Sequence, residues 1–518
     1  MMKVNKILVL GMLVTSIFAS CSNEDTAENG SKGLVNGDAY ITLSVSGSGI
    51  QGSRTTGNNH QNATPDESKI NNLALYLVDP GSKAVVFSTD VAAAQLISNT
   101  ATDHPTYTTT PISVGTGVML DTPYDVYVVA NKNVNDIAMG NTWDAAKVLS
   151  TANSDATDFY KSATDGNFTM FNESNPGVNA SGKVTITSTN DSKSNPARVN
   201  ADGTTIQPIK LDRLTAKVQA QDGSTSGSNL DISGITGKQA SFISEISMVG
   251  YVILNGVQST YLQQTWSGTT ASYVLNTPSS NTFYGQFTNY ATVTPGTTAG
   301  TGTLMDKTSD GQVSFTTPEN SVYCLENNTG INNSDDKVTN TTGLILKYQV
   351  TVKESDGLAG SNCFYGYNGQ YFEKLSDIQA TYPNVFGTSV AATDLQTAKD
   401  LLTKNGNGTA TEQSISDFRA RYNIEVFRNG IMYYTYFIKD QNYTDPTVAT
   451  GADNHIYAVL RNTVYDLHVA SLLRIGNDIP GGWNPGGQNT PVDQKDYYMQ
   501  VQVSVNPWVL SSTNINLQ

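Results

Sequence analysis

The side chains that carry most enzyme chemistry are few in this chain and poorly spaced for it. The four histidines, His60, His104, His455 and His468, occur singly, with no second ligand at metal-binding spacing. His468 alternates along a predicted strand, where a packed or surface imidazole is the ordinary role. No Gly-Lys-Ser/Thr loop is present to cradle a phosphate, and no dinucleotide fingerprint follows a strand. The pair Asp335-Asp336 has the type for acid-base work or calcium, but a solvated turn accounts for it better. The expectation is a protein with no catalytic site, no cofactor and no metal. A net charge of −15 with no run of Lys or Arg also excludes nucleic acid as a partner.

Two other kinds of chemistry remain, one at a thiol and one at a peptide bond. Lys3 and Lys6 precede an apolar stretch from Ile7 to Phe18, too short to span a bilayer as a mature helix, so residues 1–21 read as a secretory signal. It ends Phe18-Ala19-Ser20-Cys21, which resembles the lipobox of bacterial lipoproteins with Phe in place of the usual Leu. Cys21 is then the expected lipidation site, its thiol carrying the acyl anchor (palmitate) into the outer membrane. Ser22-Asn23-Glu24-Asp25 resembles an acidic surface-export tag. The chain's first arginine, Arg54, sits in a Gly/Ser-rich run starting at Gly47, the kind of loop that proteases cut. Cleavage between Arg54 and Thr55 makes residues 22–54 a propeptide. Read locally, Arg54 is better explained as a solvated loop residue, with the strand before it an ordinary first strand.

The elements that must position these sites are strands. Thr, Ser, Asn and 26 Tyr, with only 14% charged residues, suit extended structure joined by polar turns. From Tyr40 the chain alternates, with Ile41, Leu43 and Val45 predicted to enter a core. If the chain is cut after Arg54, this strand becomes removable, leaving an apolar groove with unpaired edges. Asp79-Pro80-Gly81 predicts a hairpin between the runs at 70–78 and 84–87. Asp125 to Asn131 reads as a central strand, and helical material is expected around Asp144 to Leu149 and Leu395 to Leu402. Asn255-Gly256, Asn368-Gly369 and Asn429-Gly430 are hairpin signals. The aromatic run Ile431 to Ile438 reads as core or interface rather than a sugar-stacking face. A polar break at Gln221 to Ser228 divides an N-terminal β-sandwich domain (55–225) from a C-terminal one (226–518). Besides Cys21 there are Cys324 and Cys363, which are either two buried thiols or a disulfide.

Near the C-terminus, Tyr497 to Val505 alternates almost perfectly up to Pro507-Trp508. Beyond it Val509, Leu510, Ile515 and Leu517 continue an apolar pattern with no turn after it, a strand that needs a partner. The motifs now form a set: Phe18 to Cys21, the strand at 41–45 with Ser53-Arg54 after it, Tyr127 to Val129, Leu211 to Val218, Tyr367 to Tyr371, Val459 to Tyr465, and Val501 to Trp508. In this order, from end to end, they resemble the shaft subunits of Bacteroidales type V pili, most closely the Mfa-type (short or minor fimbria) pilins of the fimbrillin superfamily. The resemblance implies an all-β fold, two transthyretin-like β-sandwich domains of Greek-key type with few short helices. It implies no enzyme but a structural subunit of a surface fimbrium, active in adhesion and biofilm formation. The lipoprotein precursor would reach the outer membrane through Cys21, an arginine-specific protease would cut after Arg54, and a donor strand (Val509, Leu510, Ile515, Leu517) would fill the groove of another copy. Partners would be other copies and accessory tip and anchor subunits. A surface glycan-binding lipoprotein that stays uncut and monomeric is the alternative.

Overall fold

The computed structural model describes residues 38–509 and Gly33, apart from 48–60, 100–105, 116, 152–156, 160–166, 176–177, 180, 203–204, 269–272, 280, 286–306, 309–310, 313, 330–336, 389–390, 404–407, 409, 445–454 and 482–498. The N-terminal region contains β1 (Tyr40–Thr42), β2 (Ser44–Gly47), β3 (Gln61–Asn62), helix α1 (Pro65–Ser68), β4 (Leu73–Val78), β5 (Val85–Val91), β6 (Leu96–Asn99), β7 (Thr106–Thr109) and β8 (Ile112–Ser113). It continues through β9 (Pro123–Ala130), β10 (Met170–Asn172), β11 (Gly182–Thr185), β12 (Ala197–Arg198) and β13 (Ile209–Arg213). The main sheet runs β5-β4-β9-β10-β13-β2-β7-β6, with β11 also on β9, and a small sheet runs β12-β1-β8. One core, holding Leu75, Val126, Val128, Phe168, Ile209 and Leu211, lies on one face of this sheet. Tyr76, Tyr127 and Phe171 fill the other face around Trp143, with Tyr127 stacked on the indole at 4.1 Å. Burial on both faces explains why β4 and β9 read as nearly continuous apolar runs.

The C-terminal region begins with β14 (Thr215–Asp222), β15 (Ile243–Leu254), β16 (Val322–Leu325) and β17 (Gly343–Val352). It ends with β18 (Phe364–Tyr367), β19 (Gln370–Phe372), β20 (Glu425–Phe427), β21 (Ile431–Phe437), β22 (Thr463–Leu472) and β23 (Met499–Val509). Sheet β16-β14-β22-β23-β3 faces sheet β15-β17-β21 across a core of Val218, Tyr251, Leu346, Tyr434, Tyr465 and Leu467. Helices α2 (Leu375–Thr381), α3 (Ala392–Thr403) and α4 (Glu412–Tyr422) pack with β18–β20 into a lobe with its own core, which includes Phe418 and Leu402. The all-β class with few helices is therefore as expected.

Several local expectations are corrected. Residues 144–149 form a turn leading into a short strand, Val148–Ser150, because Val148 and Leu149 pair with Tyr261 and Thr260. β13 and β14 belong to different sheets with Leu214 between them, and 223–228 is a turn beyond β14. Of the three Asn-Gly signals only Asn368-Gly369 closes a hairpin, with Tyr367 opposite Gln370 and both turn residues at positive φ. At Asn429-Gly430 both residues have the positive φ such a turn needs, whereas at Asn255-Gly256 Asn255 has it and Gly256 does not; at both places the flanking strands leave for other sheets. β15 takes β17 as its long partner instead, and β20 and β21 join β18 and β17 respectively. Tyr433, Tyr434 and Phe437 on β21 are buried, so this run is core. Cys324 and Cys363 are separate buried thiols, and burial pushes Cys324 up to about 12.

Candidate functional site

The segment Tyr40–Gly47 is bonded along both edges. β1 lies parallel to β12 (Ile41 opposite Ala197) and antiparallel to β8 (Ile41 opposite Ile112). After Leu43 the strand changes sheet, and β2 lies parallel to β13 (Val45 opposite Ile209) and antiparallel to β7 (Val45 opposite Tyr107). Ladder bonds continue across the step: Val199 N–H donates to the Thr42 carbonyl and Thr109 N–H to the Leu43 carbonyl, both at 2.9 Å. Ile41, Leu43 and Val45 have no exposed surface and sit in the N-terminal core. The alternate residues, predicted to face solvent, are buried too: Thr42, Ser44 and Ser46 are each under a tenth exposed. Hydroxyls satisfy them, with Thr42 Oγ1 donating to the Thr109 carbonyl at 2.9 Å and Thr108 Oγ1 to Ser44 Oγ at 3.4 Å. No charged side chain lies in the segment, so any chain with small or apolar alternating residues meets the same chemistry.

Taking out this segment exposes edges on β7, β8, β12 and β13 and uncovers the slot of three side chains. Burying three such residues is worth about 1.5–3 kcal/mol each, and each ladder bond about 1 kcal/mol net. The vacant form would thus be poorly stable and strongly receptive to a new strand.

Downstream lies a second cluster at the seam between the two sandwiches. Thr64 and Glu67 form a capping box on the single turn α1: the Thr64 N–H donates to Glu67 Oε2 at 2.7 Å, and the Glu67 N–H to Thr64 Oγ1 at 3.2 Å. Glu67 Oε1 also accepts the Tyr323 hydroxyl at 2.7 Å and faces Lys217 Nζ at 3.0 Å. Arg213 Nε donates to the Glu67 carbonyl at 3.0 Å, and its Nη1 to Asn462 Oδ1 at 3.1 Å. Glu67, Tyr323, Lys217, Arg213 and Asn462 are all buried. Burial works to raise the Glu67 carboxyl, but Lys217, the Thr64 N–H and the Tyr323 hydroxyl together hold it below its ordinary value. Burial also lowers Arg213 to about 10, against the pull of Glu67, Tyr323 and Asp212. Thr64-x-x-Glu67 with Pro65 at the first helical position is a visible helix start. Its burial against β14 and β16 has no local signal, and sequence reasoning passed over it.

The structure brings Ile41, Leu43 and Val45 together as expected. Val509 ends β23, where Asn62 is its partner in the parallel β3. Cys21, Arg54, Thr55, Leu510, Ile515 and Leu517 lie outside the described residues, as do His60, His104 and the Asp335-Asp336 pair. His468 Nε2 lies 3.2 Å from Asp466 Oδ2 and from Gln221 Nε2, within a strand surface. Among the described residues no three His, Cys, Asp or Glu side chains group to hold a metal.

Fold and site define a class: an all-β chain of packed-sheet cores, the first of which is completed by its own N-terminal strand. The family model "Major fimbrial subunit protein (FimA)" matches residues 39–234, and "Major fimbrial subunit protein type IV, Fimbrillin, C-terminal" matches residues 425–514. Together they cover more than half of the chain, which belongs to the fimbrillin superfamily of fimbrial subunits. Similar solved structures include a cell adhesion protein from Parabacteroides distasonis, 14% identical over 92% of this chain and 99% of that one, with a TM-score of 0.42. A fimbrilin from Porphyromonas gingivalis is 11% identical over 92% and 99%, with a TM-score of 0.38. The tip fimbrial protein Mfa3 from the same organism, truncated at its C-terminus, is 12% identical over 91% and 100%, with a TM-score of 0.36. The helical lobe falls in the part matched by neither family model, apart from β20.

Proposed function

We propose that this fimbrial subunit forms the shaft of a surface pilus and polymerises by strand exchange. The precursor is exported as a lipoprotein through Cys21, cut between Arg54 and Thr55, and loses the strand carrying Ile41, Leu43 and Val45. The segment after Val509, with Ile515 and Leu517 at the same two-residue spacing, then fills the vacated slot of a neighbouring copy. The observation that carries this reading is the double-edged, fully buried, uncharged seat of Tyr40–Gly47, a strand that precedes the first arginine of the chain. Both donor and seat are uncharged, so transfer between copies costs no ion desolvation. The products would be an extracellular fimbrium of like subunits with tip and anchor proteins at its ends.

Coexpression of the full chain with an arginine-specific protease tests it. The expected result is a mature N-terminus at Thr55 and an SDS-resistant ladder on gels. Persistent monomers after cleavage, or an unchanged ladder from a chain lacking residues 510–518, would overturn it.

A further inference from the structure

The short strand β3 occupies an unexpected place. In sequence it belongs to the N-terminal sandwich, yet it is the edge strand of the C-terminal sheet, parallel to β23, with Gln61 opposite Trp508 and Asn62 opposite Val509. The residues after it are fastened on both sides of the seam. Ala63 and Ile70 are buried in the N-terminal core. Between them Glu67 bonds to Tyr323 on β16 and Lys217 on β14, and its carbonyl accepts from Arg213 at the end of β13. Ala63 and Ile70 share their core with Ile41, Leu43 and Val45, but the bonds of Glu67 to Tyr323, Lys217 and Arg213 do not involve Tyr40–Gly47, so that half of the anchorage does not depend on the strand. A parallel pair of two residues is weak alone. Tied within a few residues to a buried ion pair and a capping box, it holds its partner at small further entropic cost.

We propose that residues 61–68 form a clamp that fixes the root of the donor segment against the subunit's own C-terminal sheet. The inference rests on the strand-exchange reading and sharpens it. Val509 stays with its own chain, the exchanged segment begins at Leu510, and the donor leaves from a fixed point beside the mature N-terminus. Glu67, Lys217 and Arg213 are positioning residues in this arrangement: they hold β3, and β3 holds Val509.

Cysteine locking reads the clamp directly, because strand partners bring Cα atoms within disulfide reach. Two full-length variants are used, Asn62→Cys with Val509→Cys and Gln61→Cys with Trp508→Cys; the native Cys324 and Cys363 are buried. Oxidation of the uncut protein is expected to form the new disulfide within one chain, mapped by non-reducing peptide mass analysis. After cleavage, oxidised subunits of at least one variant should polymerise with no loss of ladder relative to reduced ones and keep the intrachain bond in the polymer. The clamp is overturned if neither pair oxidises within a chain, or if oxidised subunits stay monomeric until a reductant restores the ladder. If the unsubstituted cut chain gives no ladder, strand exchange itself fails, while the disulfide in uncut protein still reports on the clamp.

Discussion

A buried carboxylate beside two buried cations is the costliest feature of the seam, and Glu67 carries it. Glu67→Gln keeps the shape but removes the carboxylate that faces Lys217 at 3.0 Å and helps to hold the Arg213 charge in a dry site. The expected loss is about 3 kcal/mol, since removing one member of a buried pair strands the other. The folded-state carboxyl titrates below its unfolded value, so its contribution is present above the unfolded range near pH 4.3 and is lost as pH falls through the folded value. Urea titrations of both proteins should show the full gap at pH 7 and a narrowing gap below about pH 4. A constant gap down to pH 3 would mean that Glu67 acts through packing alone. Lys217→Met, which removes the main partner, should lessen the cost of Glu67→Gln in a double-mutant cycle.

At the scale of elements, strand exchange as proposed requires the strand Tyr40–Gly47 to contribute to the uncut precursor only. Leu43→Ala opens a cavity at a fully buried site, so the uncut precursor should lose about 2–5 kcal/mol. The mature polymer, which no longer contains this strand, should melt as before; an equal loss in both would show that the strand stays. Alternation made this strand legible, as it did β23, because one buried face imposes a period of two, while β4 and β9, buried on both faces, showed as apolar runs. The same signal could not tell that the Thr and Ser face is buried as well, since hydroxyls that find partners in a neighbouring strand look like solvent-facing ones. Asn-Gly pairs reported backbone shape at Asn368-Gly369 and Asn429-Gly430, and pairing at the first alone. Asn429 and Gly430 do turn the chain, but a Cβ on Gly430 would lie 2.5 Å from the Val350 carbonyl, so this glycine serves a close approach to β17 rather than a hairpin. Helix α3 was expected from the sequence, whereas the lobe it helps build depends on β18 pairing with β20, Phe364 opposite Phe427, a contact distant in sequence.

For the molecule as a whole, strand exchange as proposed makes the precursor a chain whose N-terminal core is completed by its own strand and the mature form one whose core is completed by another copy. Which residues fill the slot was visible in the pattern of Ile41, Leu43 and Val45. That β3 and α1 tie the two sandwiches was not, because Glu67 meets Lys217 and Tyr323 only through the long-range order of β14 and β16. The stability of a cut subunit should therefore depend on whether any strand occupies the slot. A chain cut after Arg54 and lacking residues 510–518 has neither its own strand nor a donor, and it forgoes the burial of three apolar side chains, on the order of 5 kcal/mol. It should melt well below the uncut chain. A synthetic peptide of residues 509–518 should raise its melting temperature in a concentration-dependent way, as a ligand that binds only the folded state must. The same peptide with Ile515→Asp and Leu517→Asp should have no effect, since charges cannot enter a slot without counter-charges. Because the clamp lies outside the slot, Glu67→Gln should lower the starting stability yet leave the rise produced by the peptide intact. If it abolished that rise, seam and slot would be one cooperative unit and not two.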